Sequence, residues 1–179
     1  KETERLSSMV EELLDFSRMQ NGRFTLQKTN IDIIAELSDA VLMYSEKAKD
    51  DKISIIYEDN EAVAIVNGDK NRLRQVFINI IDNALKYTDA GGTVRIDAEL
   101  SDGEIIITIE DSGCGISKSD LPKVKNRFYK ANNTVRGSGI GLAVADEIVK
   151  MHGGSLDISS ELGRGTAVMI TLPLVNRES

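Results

Sequence analysis

Cysteine and histidine each occur once in these 179 residues, as Cys114 and His152. A single cysteine excludes an internal disulfide framework and fits a reducing compartment. Set between Gly113 and Gly115, Cys114 reads as a small space-filler rather than a reactive thiol. A lone histidine without a cysteine cluster excludes the usual zinc spacings. Its place just before Gly153-Gly154 suits a cation at a helix C-terminus. No run of 18 apolar residues is present, so no segment reads as a membrane-spanning helix. A secretory leader is lacking too, and the chain opens at Lys1 without an initiator methionine, as expected of a piece of a longer parent. The formal charge of −7 provides no general field for nucleic acid or an anionic membrane. The expected setting is cytoplasmic, and a parent anchored in an inner membrane stays compatible with it. Neither a GxxxxGK[ST] loop nor a strand-led GxGxxG occurs, which removes the P-loop, the dinucleotide fingerprint and the protein-kinase glycine loop.

What is present suits one compact domain with an appended element: apolar residues make up an ordinary 41% of the chain. Leu6, Met9, Val10, Leu13 and Leu14 recur at the spacing of one helical stripe, which either packs against the chain's own domain or forms a seam for another helix or another copy. Gln20-Asn21-Gly22 ends that helix. A second helix is expected from Asn30 to about Lys49, then short strands over Lys52 to Tyr57 and Val63 to Val66. The clearest helix runs from about Asp69 to Tyr87, with Leu73, Val76, Phe77, Ile80, Ile81, Ala84 and Leu85 on one face. Thr93 to Leu100 and Glu104 to Glu110 alternate as a hairpin. A loop from about Leu121 to Ser138 lacks an apolar period, helix returns from Gly139 to Met151, and Ser155 to Ser160 and Thr166 to Leu172 read as strands. Helices alternating with mainly antiparallel strands predict an α+β fold, a two-layer α/β sandwich with helices on one face of a mixed sheet plus the N-terminal helix.

Four clusters carry chemistry: Asn79, Asn83, Lys86 and Tyr87, then Asp111-Ser-Gly-Cys-Gly115, then Gly137-Ser-Gly-Ile-Gly141, then Gly163-Arg-Gly-Thr166. On the Asp69 to Tyr87 helix, a 100° step brings Asn79, Asn83 and Lys86 onto one stripe beside the apolar face, with Tyr87 next to it. Two mid-helix asparagines forfeit roughly 1 kcal/mol of helix propensity relative to alanine. A solvated polar face is the plain account; an amide-oxygen pair for Mg2+ with an ammonium for phosphates is the functional one. Asp111 ends a β-rich run before Gly113 and Gly115, either as an ordinary turn or as a carboxylate reading an exocyclic amine. Between Leu121 and Ala145 there is no acidic residue, yet Lys123, Lys125, Arg127, Lys130 and Arg136 occur there. That inversion of charge on an acidic chain is either a solvated mobile loop or a lid whose cations meet a phosphate tail, and its end favours the lid. It ends in Gly137, Gly139 and Gly141, which lead into a helix N-terminus favouring an anion.

These residues resemble the ATP-binding catalytic domain of sensor histidine kinases, within the wider family of gyrase, MutL and Hsp90 nucleotide domains, and hence a Bergerat-type fold. NIIDNALKYT resembles the asparagine box, DSGCGI the first glycine box, RFYK the phenylalanine box, GSGIGLAV the second glycine box and GRGTAV the last. Residues 30–179 would form the ATP-binding domain, and residues 1–29 the second helix of a dimerisation hairpin whose first helix, with the phosphoacceptor histidine, is missing. The resemblance implies ATP and Mg2+ as cofactors, with Asn79 and Asn83 on the metal, Lys86 and Tyr87 on the phosphates, and Asp111 on the adenine amine. Thr166, Gly113, Gly115 and Ile116 would shape the adenine end. Arg127 and Lys130 would meet the terminal phosphate, and Gly137, Gly139, Gly141 and Leu142 would close over the triphosphate. Asn79, Lys86 and Lys130 would carry the transfer of the γ-phosphoryl group to histidine. Lys125 departs from the family, standing where its phenylalanine box has a first aromatic. The implied partners are the phosphoacceptor helix of the parent kinase, a response regulator and a second copy of the parent, with no nucleic acid. Two other functions compete: an ATP-gated clamp, which resembles the family's hydrolases only if Asn79 were a glutamate, and a nucleotide-sensing module without transfer.

Overall fold

The computed structural model describes residues 10, 13–58, 62–131 and 138–175. Leu6, Met9, Arg136 and Gly137, singled out above, lie outside the described residues. Helix α1, described over residues 13–20, lays Phe16 and Met19 into the core and leaves Leu14 exposed. Of the described members of the apolar stripe, Leu13 packs on the chain's own domain while Val10 and Leu14 are exposed. Beyond it the chain forms β1 (Thr29–Asp32), α2 (Ile33–Asp50), β2 (Ser54–Tyr57), β3 (Ile65–Gly68) and α3 (Lys70–Tyr87). There follow β4 (Thr93–Ser101), β5 (Glu104–Asp111), α4 (Gly141–Met151), β6 (Ser155–Glu161) and β7 (Gly165–Pro173).

Five strands form a mixed sheet in the order β2-β4-β5-β7-β6, in which only β2 and β4 run parallel. Alternation along the strands decides its faces: Ile105, Ile107 and Ile109 of β5 and Val168, Ile170 and Leu172 of β7 are buried under the helices, while Glu110 and Met169 are exposed. Asp111 shares the parity of the buried isoleucines, so the pleat turns its carboxylate toward the helical layer. Helix α3 lies at the centre of that layer, between α2 and α4. Its whole apolar face, from Leu73 to Leu85, is buried as the periodicity predicts.

The start of α2 corrects the expectation of a helix from Asn30. Residues 29–32 pair antiparallel with β3, and the Asp32 carboxylate caps the helix by accepting from the Ile34 N–H at 3.1 Å and the Ala64 N–H at 3.2 Å. Helix α4 likewise begins at Gly141, two residues later than Gly139.

His152 is not the helix-terminal cation that its position suggests. It is buried, its Nδ1–H donates to the Ile148 carbonyl at 2.7 Å, and its Nε2 accepts from the Asp69 N–H at 2.9 Å. Only the neutral ring has a lone pair for that second bond. Burial pushes its pKa down, helped by Lys28 and opposed by Ile148 O and Asp69. The ring thus pins the N-cap of α3 to the end of α4.

Candidate functional site

Between α3, the ends of β5 and β7, and the start of α4 lies a cavity of about 440 Å3, a size that suits a small-molecule ligand. Asn79, Asn83, Lys86 and Tyr87 of α3 line it, together with Asp111, Gly115, Ile116, Lys130, Gly139, Gly141, Leu142 and Thr166. Segments far apart in sequence thus converge on one hollow, with the β5 carboxylate and the α3 amides both facing into it.

The sheet end is rigid. Asp111, 8% exposed, accepts from the Gly113 N–H at 2.8 Å. Burial pushes its pKa up, against the pull of the Gly113 and Thr166 backbone N–H groups. Gly113 is not among the lining residues, but it fits against the end of α3: a Cβ there would sit 2.2 Å from the Tyr87 carbonyl oxygen. At Gly115, φ is +68°, and a Cβ would meet the Glu161 carbonyl oxygen at 2.0 Å. These two glycines let the loop after β5 close onto α3 on one side and the β6–β7 turn on the other. Cys114 between them lines the cavity with its thiol exposed, so it does not fill a core space as the sequence suggests.

The helical end is held by ion pairs. The Asn79 Nδ2 donates to the Gly141 carbonyl at 3.0 Å, which fixes the amide and leaves Oδ1 as its free acceptor. Lys86 pairs with Asp82, one turn earlier on α3, and Lys47 of α2 reaches the same carboxylate at 2.7 Å. Burial pushes Asp82 up, but its hydrogen bonds and charge contacts with the two lysines outweigh that and hold the carboxyl below its usual range. Asp82 lines the cavity and was not among the residues that the sequence singled out. Its spacing of four from Lys86 was the available signal.

The basic segment divides its cations. Lys130 lines the cavity. Lys125 is spent elsewhere, bonding the Leu156 carbonyl and pairing with the buried Asp146 of α4 at 2.9 Å. The Arg127 guanidinium lies over the Phe16 ring of α1, 5.2 Å from its centroid, and is not among the lining residues. Lys123 lies over the Tyr129 ring, and Tyr129 in turn donates to Asp120 at 2.5 Å. Of the four described cations, Lys130 lines the cavity, Lys125 and Arg127 fasten the segment to its surroundings, and Lys123 is used within the segment.

Among the described residues no group of three or more His, Cys, Asp or Glu side chains could hold a metal ion. The donor set instead comprises neutral amide oxygens, which suit a hard cation that keeps most of its ligands from phosphate and water. A buried carboxylate at one end, amides and an ammonium at the other, and a cavity of this volume fit a purine nucleotide with a magnesium-bound phosphate tail.

The chain belongs to the histidine kinase-, DNA gyrase B- and HSP90-like ATPase family, whose sequence profile matches residues 68–176. Its relatives within that family are sensor histidine kinases. Sensor histidine kinase YclK of Bacillus subtilis is 35% identical over 184 residues, covering 99% of this chain and 38% of that protein. Sensor protein SrrB of Staphylococcus aureus is 35% identical over 176 residues, covering 96% of this chain and 30% of that one. The crystal structure of full-length ShkA in complex with AMPPNP matches with a TM-score of 0.85 at 26% identity, over 98% of this chain and 37% of that one. The chain thus spans less than two fifths of each of these relatives, and its residues 68–176 are the part that matches the ATPase family profile.

Proposed function

We propose that residues 30–179 bind Mg2+-ATP in this cavity and present its γ-phosphoryl group to a histidine on a dimerisation helix of the parent sensor kinase. Residues 1–29 would be the second helix of that hairpin. The observation that carries this reading is the joining of Asp111 to Asn79, Asn83 and Lys86 by one hollow. Asp111 would accept from the exocyclic amine of adenine, with Thr166 beside it, while Gly113, Gly115 and Ile116 shape that end. Asn79 and Asn83 would offer amide oxygens to the metal, and Lys86, Tyr87 and Lys130 would hold the phosphates. Gly139, Gly141 and Leu142 would bring the N-terminal amides of α4 toward the tail. When bound, Mg2+ supplies charge neutralisation to the phosphate oxygens. The residues need do little acid–base work, because an imidazole nitrogen is already nucleophilic; their task is alignment and exclusion of water.

The acceptor would lie outside these 179 residues, since the only histidine, His152, is buried with both ring nitrogens engaged. A carboxylate able to activate water is lacking at Asn79, which argues for transfer over hydrolysis. Among the described residues no helix is long and apolar enough to cross a membrane. We place the domain in the cytoplasm, within a dimeric parent whose phosphohistidine serves a response regulator. The test uses the full-length parent and γ-labelled ATP: an acid-labile, base-stable label on histidine is expected, and nucleotide binding without any label would overturn the transfer.

A further inference from the structure

One hydroxyl ties together three segments around the carboxylate end of the cavity. Ser160, half-buried on β6, accepts from the Ile116 N–H at 2.8 Å. It donates to the Gly165 carbonyl at 2.7 Å, because a carbonyl oxygen has no proton to give. Its third contact is with the Thr166 Oγ1 at 2.9 Å. A serine has one proton, and Gly165 takes it. The Thr166 hydroxyl must therefore be the donor to Ser160, and what Thr166 keeps for the cavity it lines is lone pairs alone.

Register makes this consequential. Thr166 and Asp111 are direct partners across the antiparallel β5–β7 pair, so their side chains stand on the same face with Cβ atoms about 5 Å apart. Both line the cavity. We infer that Ser160 is a positioning residue that locks the Thr166 hydroxyl as an acceptor, so that Asp111 and Thr166 form an edge selecting a ring-bound amine with two hydrogens over a ring carbonyl. An adenine amino group has one hydrogen for each acceptor. The C6 carbonyl of hypoxanthine would face lone pairs on both sides, and neither side chain could turn a proton toward it while Ser160 holds Thr166. A buried acceptor left against another acceptor loses its water without compensation, which is the kind of penalty that discriminates strongly between otherwise similar ligands.

The inference rests on the purine-nucleotide reading above, and the test separates the two. Mg2+-ATP and Mg2+-ITP share one phosphate tail and are titrated calorimetrically into the wild type, Ser160→Ala, Thr166→Val and the double variant. Failure of the wild type to bind either nucleotide would remove the nucleotide reading itself. With wild-type binding in place, Ser160→Ala frees the Thr166 proton to turn toward a carbonyl, and the preference for ATP over ITP is expected to fall about tenfold, chiefly through tighter ITP binding. In the Thr166→Val background the same Ser160→Ala change should leave the preference where Thr166→Val alone set it. Equal weakening of both nucleotides by Ser160→Ala, which a merely structural serine would give, overturns the inference, as does an undiminished effect in the Thr166→Val background. Should Ser160→Ala not hold its fold, Ser160→Cys keeps most of the volume while its sulfur accepts only weakly from Thr166, so a smaller fall in the preference for ATP is expected, and an unchanged preference overturns the inference.

Discussion

The two ends of the cavity are built on different physics. At the carboxylate end, Asp111, Gly113, Gly115, Ser160 and Thr166 are fixed by backbone hydrogen bonds and by the register of three strands. At the amide end, the charged groups are fixed by one another: Lys86 by Asp82, and Asp82 also by Lys47. The first end is organised before a ligand arrives and offers it a ready pattern of acceptors. The second has to exchange partners, since an ammonium paired to Asp82 is not yet paired to a phosphate. On the proposed function, base selection would be a property of the sheet, and the response to salt and metal a property of α3 and the segment after β5.

The largest effect should come from breaking the preorganised end. Asp111→Asn removes a buried negative acceptor and turns part of it into a donor, and Mg2+-ATP affinity is expected to fall about 100-fold, or about 3 kcal/mol. Calorimetry on the two proteins reads this directly, and an affinity within about threefold of wild type would mean that the carboxylate does not touch the base.

A smaller effect of opposite sign is expected at the other end. Asp82→Asn releases Lys86 from its counter-ion, and Mg2+-ATP binding should tighten by about threefold at low salt, the scale of one partly exposed ion pair. The gain should fade as ionic strength rises, because a freed ammonium acts through a screened field. Weaker binding at every salt concentration would show instead that Asp82 itself faces the metal.

Legibility followed the same division. The face of α3 and the alternation of β4, β5 and β7 were plain in the sequence because each depends on a local period. Strand β1 was not: four residues, TNID, become a strand only through pairing with β3, more than thirty positions away. In the site, Asp111 and the two asparagines were readable from their glycine and helix settings. The basic run after Leu121 was readable as charge but not as allocation. That Lys125 reaches Asp146 and Arg127 covers Phe16 depends on which surfaces fold against the segment. Ser160 escaped notice for a simpler reason, since a serine in a strand carries no signal until its three partners are known.

Titration sharpens the comparison furthest, because acid should act on binding and on stability through different residues. The Asp111 carboxyl lies above its ordinary value in the fold, so as pH falls it takes up its proton early and nucleotide affinity drops above the usual carboxylate range. In stability its sign is the reverse: a raised carboxyl favours the fold below its unfolded value, and that contribution is lost as pH rises through the folded one. His152 has a lowered pKa, so between its folded value and 6.5 the unfolded chain binds more protons than the native one. Its contribution is complete above 6.5 and is lost as pH falls through that window. The slope there is bounded by one proton, at most about 1.4 kcal/mol per pH unit. His152→Gln should flatten it in denaturant unfolding measured across that range, while leaving nucleotide affinity at neutral pH within about twofold of wild type. An unchanged slope would mean that the ring is protonated in the fold, and the Asp69 N–H would then have no lone pair to meet.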